Sequence, residues 1–240
     1  MNLDVAHRTD IGLIREENED ALFINPAQQL FIVADGMGGH NAGEVASQMA
    51  CQVIPECLQE NISLKDTLST LVGACLEAHN RICSEASSQP ELNGMGTTAE
   101  VLWIREDRAY FAHVGDSRIY LFREGRLRQL TEDQSLVNKY LREGLITRQD
   151  ARYSLMRNVV LQALGGPEEL KPETGEVLLE EDDVLLICTD GLTDLLEDEE
   201  IEEILHSESD LNSQANLLCD TALDRGGKDN ITVVLIRVME

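Results

Sequence analysis

Twice in this chain an uninterrupted apolar run ends in an Asp-Gly pair. Phe31-Ile32-Val33-Ala34 is followed by Asp35-Gly36, and Val184-Leu185-Leu186-Ile187-Cys188-Thr189 by Asp190-Gly191. Runs without polar alternation read as strands buried on both faces. Such strands need a covering layer on either side, which already excludes a single sheet open to water. After Asp35 the sequence continues Gly36-Met37-Gly38-Gly39-His40, and these glycines let the backbone turn sharply and approach a neighbour closely. A carboxylate at such a place has two readings. It can be a turn aspartate bonded to its own backbone. It can also be a ligand for a hard cation, with glycine carbonyls as further oxygen donors.

The rest of the sequence bounds the choice. The 240 residues suit one large domain or two small ones, and the formal net charge of −26 disfavours nucleic acid and anionic membrane surfaces as partners. No apolar stretch approaches the roughly 20 residues of a membrane span. The N-terminus, Met1-Asn2-Leu3-Asp4-Val5, lacks a basic segment followed by an apolar one, so a cytoplasmic location is expected. The six cysteines form no Cys-x-x-Cys pair, and most fall at apolar positions of helix or strand patterns. Buried thiols are therefore expected rather than a disulfide framework or a zinc site.

Along the chain, Asn2 to Ala6 reads as an edge strand, Ala21 to Ile24 as a short strand, and Leu30 to Ala34 as the first buried one. Glu44 to Glu60 is helical in period, with Pro55 inside it, and Ser63 is placed to cap a second long helix running to Cys83. Thr97 to Ile104, Arg108 to Val114, Arg118 to Arg123 and Arg126 to Leu130 read as a meander of hairpins. Small helices are expected in Thr131 to Arg152 and again in Ser154 to Leu164. Strands follow at Glu176 to Leu179 and Asp183 to Thr189, then helices at Leu192 to Leu205 and Leu211 to Asp224, and a last strand at Ile231 to Val238. Strands and helices do not alternate one for one. The fold class is therefore α+β: a four-layer sandwich of two antiparallel β-sheets flanked by helix pairs. No linker is visible, so residues 1–240 are expected to form a single domain, with the polar segment 131–165 as an insertion on it.

Acidic residues recur where strands end. Asp35 and Asp190 follow apolar runs, Asp116 follows Tyr110 to Gly115, and Asp229 precedes Ile231 to Ile236. Carboxylates gathered at one rim repel and raise each other's pKa, and a divalent cation removes the conflict. Oxygen-only ligation suits Mg²⁺ or Mn²⁺ and not zinc. Two such ions would support displacement at phosphorus. Arg15, just ahead of Asp20, is the candidate for binding phosphoryl oxygens. Each piece also has a plain reading: Asp229-Asn230 as a turn, Asp116-Ser117-Arg118 as a hairpin corner, Arg15 as a surface partner of Glu19.

Five segments together carry a resemblance. Arg15-x-x-Asn18-x-Asp20, Asp35-Gly36-Met37-Gly38-Gly39-His40, Gly94-Met95-Gly96-Thr97-Thr98 with Gly115-Asp116-Ser117-Arg118, Thr189-Asp190-Gly191-Leu192, and Asp229-Asn230-Ile231-Thr232 occur in this order. The set resembles the ordered motifs of metal-dependent Ser/Thr protein phosphatases of type 2C in their compact bacterial form, over essentially the whole chain. The resemblance implies hydrolysis of phosphoserine and phosphothreonine by a water activated between two Mn²⁺ or Mg²⁺ ions. Asp35 would bridge the ions, the Gly36 carbonyl would join the second, and Asp190 and Asp229 would complete the first. Asp20 would act in their outer shell through water. Asp116 and Asp190 would bind a third, weaker ion. Arg15 would hold the substrate phosphate, and His40 would serve as general acid. The insertion 131–165 corresponds to the family's variable flap, where Asn158 is expected to contact substrate. Its Tyr153-Ser154 departs from the usual His-Pro.

The implied partners are a phosphorylated protein substrate and a cognate Ser/Thr kinase, with the enzyme a monomer. No phosphoenzyme is expected, since the Cys-x5-Arg loop of tyrosine phosphatases is not expected here. Competing readings are a phosphatase acting on a small phosphoester or a phosphorylated regulator, a phosphoprotein-binding pseudophosphatase, and a structural cation-binding domain. The complete carboxylate set argues against the second, and the lack of an EF-hand loop against the third.

Overall fold

The computed structural model describes residues 1–38, 42–60 and 66–239. In chain order it runs β1 (Asn2–Asp10), β2 (Asp20–Asn25), β3 (Leu30–Met37), α1 (Ala42–Glu60) and α2 (Thr67–Ser88). A short 3-10 turn, Pro90–Leu92, leads to β4 (Gly96–Thr97), β5 (Ala99–Arg105), β6 (Arg108–Val114), β7 (Arg118–Arg123) and β8 (Arg126–Gln129). Then come α3 (Leu136–Arg142), α4 (Arg148–Arg152), β9 (Glu173–Leu178), β10 (Val184–Cys188), α5 (Asp190–Thr193), α6 (Asp198–Leu205), α7 (Leu211–Asp224) and β11 (Ile231–Met239).

Among the described residues these strands form two sheets, ordered β1-β11-β10-β7-β8 and β2-β3-β5-β6-β9, with β4 paired to the end of β3. The strand pairings within them are antiparallel. The two-residue period of a strand explains the apolar runs. In β3, Phe31 and Val33 pack between the sheets, while Ile32 and Ala34 pack against α1 and α2. In β10, Leu185 and Ile187 face the space between the sheets, and Val184, Leu186 and Cys188 face the side covered by α6 and α7. The middle layer also takes Leu102, Phe111, Ile119, Leu121, Val234 and Ile236. The expected αββα sandwich is therefore the observed one, and its polar-free strands follow from having a layer on each side. No described helix is long and apolar enough to cross a membrane.

Several local expectations change. The strand expected at Asn2 to Ala6 continues to Asp10 along β11. The four central strands are two hairpins and not one meander: β5 pairs with β6 in one sheet, β7 with β8 in the other. Gly115-Asp116-Ser117 carries the chain across. Gly115 has φ +115°, and a Cβ there would lie 2.5 Å from Thr98 Cγ2. Both the backbone angle and the space select glycine. Ser154 to Leu164 forms turns and isolated bridges (Ser135 with Val160, Thr97 with Leu164) instead of a helix. The helix expected over Leu192 to Leu205 is α5 and α6, separated because Glu197 and Glu200 form a capping box that starts a new helix. The expected cap Ser63 lies outside the described residues. Asp66 caps α2, accepting from Ser69 N. Helix α1 continues through Pro55.

The middle layer is the element whose loss would separate the sheets. Leu185 is fully buried, and its register partners are Leu121 and Ile236 in the two adjacent strands. Leu185→Ala is expected to lower unfolding stability by about 2–5 kcal/mol, transfer and cavity terms together. Urea unfolding followed by circular dichroism measures this, and a loss under about 1 kcal/mol would mean that the layers repack freely around this position.

Candidate metal centre

The acidic residues meet at one end of the sandwich because strands of both sheets finish there. Asp20 and Asp35 are direct cross-strand partners in β2 and β3, a placement that like charges ordinarily disfavour. From the opposite sheet, Asp190 opens α5 immediately after β10, and Asp229 stands just before β11. Asp116 lies in the turn that crosses between the sheets. Asp20 ties the layers together: its Oδ2 accepts from Thr189 Oγ1 at 3.0 Å and from Thr232 Oγ1 at 2.6 Å. Thr232 Oγ1 is 2.9 Å from Thr9 Oγ1, which accepts from Asn18 Nδ2 at 2.9 Å.

Backbone contacts fix the carboxylates from behind. Asp35 N donates to Thr98 Oγ1 at 2.9 Å, and that hydroxyl shares a hydrogen bond with Ser117 Oγ. Thr97 Oγ1 donates to the Asp35 carbonyl. Asn230 clamps the loop that carries Arg15, donating through Nδ2 to the carbonyls of Ile11 and Glu17 and accepting at Oδ1 from Glu19 N. Two glycines allow the closest approaches. A Cβ on Gly36 would fall 2.3 Å from the Gly43 carbonyl oxygen and 2.5 Å from that of Glu19. A Cβ on Gly191 would fall 2.0 Å from the Asn230 carbonyl oxygen. Gly36 is thus required by crowding of the backbone at the start of α1, and Gly191 seats the Asp190 turn against the Asp229 turn.

The electrostatics are those of a cluster lacking compensation. Burial, then repulsion from the neighbouring carboxylates, holds Asp35 and Asp190 well above the usual carboxylate range. Burial pushes Asp20 up to about 7, against the bonds from Thr232 and Thr189. Burial and Asp133 push Asp116 up to about 6, with Arg118 opposing. Asp20 Oδ1 and Glu19 Oε1 are buried without a hydrogen-bond partner among the described residues. Buried oxygens with spare lone pairs, all from carboxylates, fit a hard divalent cation and not a thiophilic one. No three Asp, Glu, His or Cys side chains among the described residues close around one point. Carboxylates spaced this widely leave room for an ion to keep several waters, the habit of Mg²⁺-like cations.

Of the residues expected from sequence, Asp20, Asp35, Gly36, Asp116, Asp190 and Asp229 gather at this rim. Arg15 joins them through Asp229, its Nη2 donating to Oδ2 at 2.7 Å. His40 lies outside the described residues. Asn158 sits among the turns of segment 131–165, where Arg157 is the side chain that reaches the rim, Nε donating to Asp194 Oδ2 at 3.1 Å. The sequence reading missed Asp194, which contributes to the repulsion felt by Asp190 and Asp116. Its signal was the spacing of four from Asp190, one helical turn. Glu19 was likewise missed, since nothing in a run of acidic residues marks the one whose oxygen is buried.

A sequence profile of the protein phosphatase 2C family matches residues 15–226. The chain belongs to the protein phosphatase 2C family. It is a metal-dependent serine/threonine protein phosphatase. Similar proteins include the serine/threonine phosphatase Stp of Listeria monocytogenes serovar 1/2a, 42% identical over 235 residues, covering 95% of this chain and 93% of that protein. Protein phosphatase PhpP of Streptococcus pneumoniae D39 is 37% identical over 242 residues, covering 99% and 98%. The serine/threonine phosphatase PstP/Ppp of Mycobacterium tuberculosis superposes with a TM-score of 0.92 at 36% identity, covering 99% of each chain. A PstP catalytic domain in complex with two manganese ions superposes at 0.89 with 36% identity, again covering 99% of each.

The phosphatase does contain two Cys-x5-Arg spacings, Cys75 to Arg81 and Cys219 to Arg225, which corrects the expectation that there are none. Neither is a phosphate loop. Cys75 and Cys219 are buried within α2 and α7, and burial pushes both thiols up to about 12. Arg81 pairs with Glu77 and Glu56, and Arg225 with Glu200. A thiol so raised and so enclosed is no nucleophile at neutral pH.

The carboxylate shifts carry a sign that can be tested. Asp20 titrates near about 7 in the fold against about 3.9 unfolded, so between these values the folded state binds the extra proton. Its contribution to stability is present at low pH and lost as pH rises from about 4 to about 7. Chelator-treated phosphatase is therefore expected to melt higher at about pH 5.5 than at about pH 7.5, with Asp20→Asn reducing the difference. Thermal melts at both pH values decide it; a higher melting point at the upper pH would contradict the buried-repulsion account.

Proposed function

We propose that this phosphatase hydrolyses phosphoserine and phosphothreonine in cytoplasmic proteins at a pair of Mn²⁺ or Mg²⁺ ions held at the carboxylate rim, and that it opposes a Ser/Thr kinase. The observation that supports the reading is the gathering of Asp20, Asp35, Asp116 and Asp190 from both sheets into one buried, mutually repelling group. Such a group has a use only when cations join it.

When bound, the two cations supply a nucleophile at neutral pH and neutralise charge on the phosphoryl oxygens. Asp35 would help to hold both ions, the Gly36 carbonyl the second, and Asp190 and Asp229 the first. Asp20 would order the surrounding waters, its own orientation fixed by the hydroxyls of Thr189 and Thr232. Asp116 with Asp190 would hold a third, weaker ion. Arg15 has one guanidinium donor on Asp229 and others in its planar fork for the phosphoryl oxygens. Arg15 would thereby hold the phosphoryl group turned toward an attacking water. His40, from its motif position, would return a proton to the departing seryl or threonyl oxygen. Segment 131–165, including Asn158, would act as the flap that meets the protein part of the substrate. Residues 1–240 would work as one monomeric catalytic domain, with no nucleic acid or membrane surface in its task, in keeping with the −26 charge.

Hydrolysis of p-nitrophenyl phosphate and of a phosphothreonine peptide with Mn²⁺, Mg²⁺ or chelator tests this directly. Activity is expected only with metal. Asp190→Asn is expected to cost several kcal/mol of transition-state stabilisation, about a hundredfold or more in kcat/KM. Arg15→Ala should raise KM about tenfold with kcat little changed. Asp116→Ala should weaken metal activation while two ions still bind by calorimetry. Turnover in the presence of chelator would rule the mechanism out.

A further inference from the structure

Two buried ionisable side chains have no part in the reaction as assigned above. Glu100 on β5 and His113 on β6 are both fully buried and pair directly across the sheet, His113 Nδ1 2.7 Å from Glu100 Oε1. They belong to a cross-strand row of Val33, Glu100, His113 and Glu173. Val33 packs between the sheets, and directly opposed residues share a face, so the pair lies between the sheets as well. The row is two residues below Asp35, Thr98 and Gly115, hence about 7 Å beneath the carboxylate rim.

Stability does not account for this pair. A buried ion pair is often matched or bettered by apolar residues of similar volume, and Glu100 Oε2 is buried with no hydrogen-bond partner among the described residues. What the pair delivers lies on the other side of the ring. His113 Nε2 is 2.9 Å from the Glu132 carbonyl oxygen, which can only accept, so Nε2 carries a proton. Glu173 Oε2 is 4.0 Å from the same nitrogen and accepts from Glu132 N at 2.9 Å. Burial pushes Glu100 up to about 8; burial pulls His113 down, but Glu100, Glu173 and the Glu132 carbonyl together raise the imidazole to about 9. The Nε2 bond to Glu132 persists whether Nδ1 or Oε1 holds the proton between them.

Glu132 stands at the root of segment 131–165, and the next two residues are fastened to the same turn. Asp133 accepts from Arg118 Nε and Nη2 at 2.8 and 2.7 Å. Gln134 N donates to the Gly115 carbonyl, and Gly115 N donates to Gln134 Oε1. Residues 132–134 are thus stapled to the strand end and turn that carry Asp116, and His113 is the buried staple.

We propose that Glu100 and His113 form a positioning dyad: Glu100 orients the imidazole, and the imidazole, through the Glu132 carbonyl, sets how segment 131–165 stands over the rim for a phosphoprotein substrate. This rests on the phosphatase reading. Turnover of any substrate by the wild type tests that reading, whereas the ratio between substrates tests the dyad.

The decisive variant is Glu100→Leu with His113→Leu, which removes the polar pair at nearly constant volume. Its melting temperature is expected to hold or rise. Its kcat/KM for a phosphothreonine peptide should fall about tenfold, that for p-nitrophenyl phosphate staying within about twofold, because only the peptide reaches the segment. Amide exchange at Gly115 and Gln134 should quicken while that of β10 and β11 does not change. Two single variants give a second test that does not depend on the double variant folding. His113→Gln places an amide donor where Nε2 stood and should retain most peptide turnover; His113→Asn, too short to reach Glu132, should not. Equal losses on both substrates, peptide turnover unchanged in the folded double variant, or Gln no better than Asn would overturn the proposal.

Discussion

Like charge held out of water is the condition on which this molecule depends. Asp20 and Asp35 face each other across adjacent strands, Asp190 comes at them from the opposite sheet, and Asp116 from the turn between the sheets. A loose structure would relieve such repulsion by spreading. Here the relief is blocked by the layer of Phe31, Val33, Leu185, Ile187, Val234 and Ile236, packed between the sheets without exposure. The sandwich supplies the stability, and its rim stores part of it as unfavourable electrostatics that divalent cations can release. The threonines around Asp20 do not remove the conflict; they aim one oxygen, and the other has no hydrogen-bond partner among the described residues.

Much of this was legible before the fold was known, for a physical reason. A strand buried on both faces must be apolar throughout, so its end is marked sharply when an aspartate follows. Asp35 and Asp190 stand at such boundaries, and the layers follow from the same runs. The failures share a cause too. Arg108 to Val114 and Arg118 to Arg123 look like neighbours in one sheet because strand periodicity carries no information on which sheet a strand joins. The glycine that decides it, Gly115, resembles any hairpin glycine until Thr98 is seen against it. Asp194, Glu19 and Arg157 acquire their roles from the meeting of distant segments. The two Cys-x5-Arg spacings are a different failure: they stand in the sequence and were overlooked, and it is their place in buried helices that disqualifies them.

Segment 131–165 differs electrostatically from what it covers. It carries Lys139, Arg142, Arg148, Arg152 and Arg157 against Glu132, Asp133, Glu143 and Asp150, in a chain whose net charge is −26. Leu145, Tyr153, Leu155 and Met156 are exposed along it. Its root is held by polar bonds to the turn after β6, and its middle by Arg157 on Asp194. A stretch with a slight excess of basic residues and exposed apolar side chains therefore stands beside the acidic rim, so a phosphate group is met together with the protein chain that carries it.

The passage of Gly115-Asp116-Ser117 from one sheet to the other has a mechanical consequence. Two packed sheets are free to shear where only apolar contacts join them, since dispersion has little direction. At this turn a covalent strut spans the gap, and the hydrogen bonds of Asp20 to Thr189 and Thr232 brace it nearby. The opposite end is strapped as well: residues 179–183 lead from β9 of one sheet to β10 of the other, and Arg123 on β7 donates to the Leu178 carbonyl and to Asp183. The carboxylate spacing is thereby set by a frame fastened at both ends, as a drawer is held true by two runners.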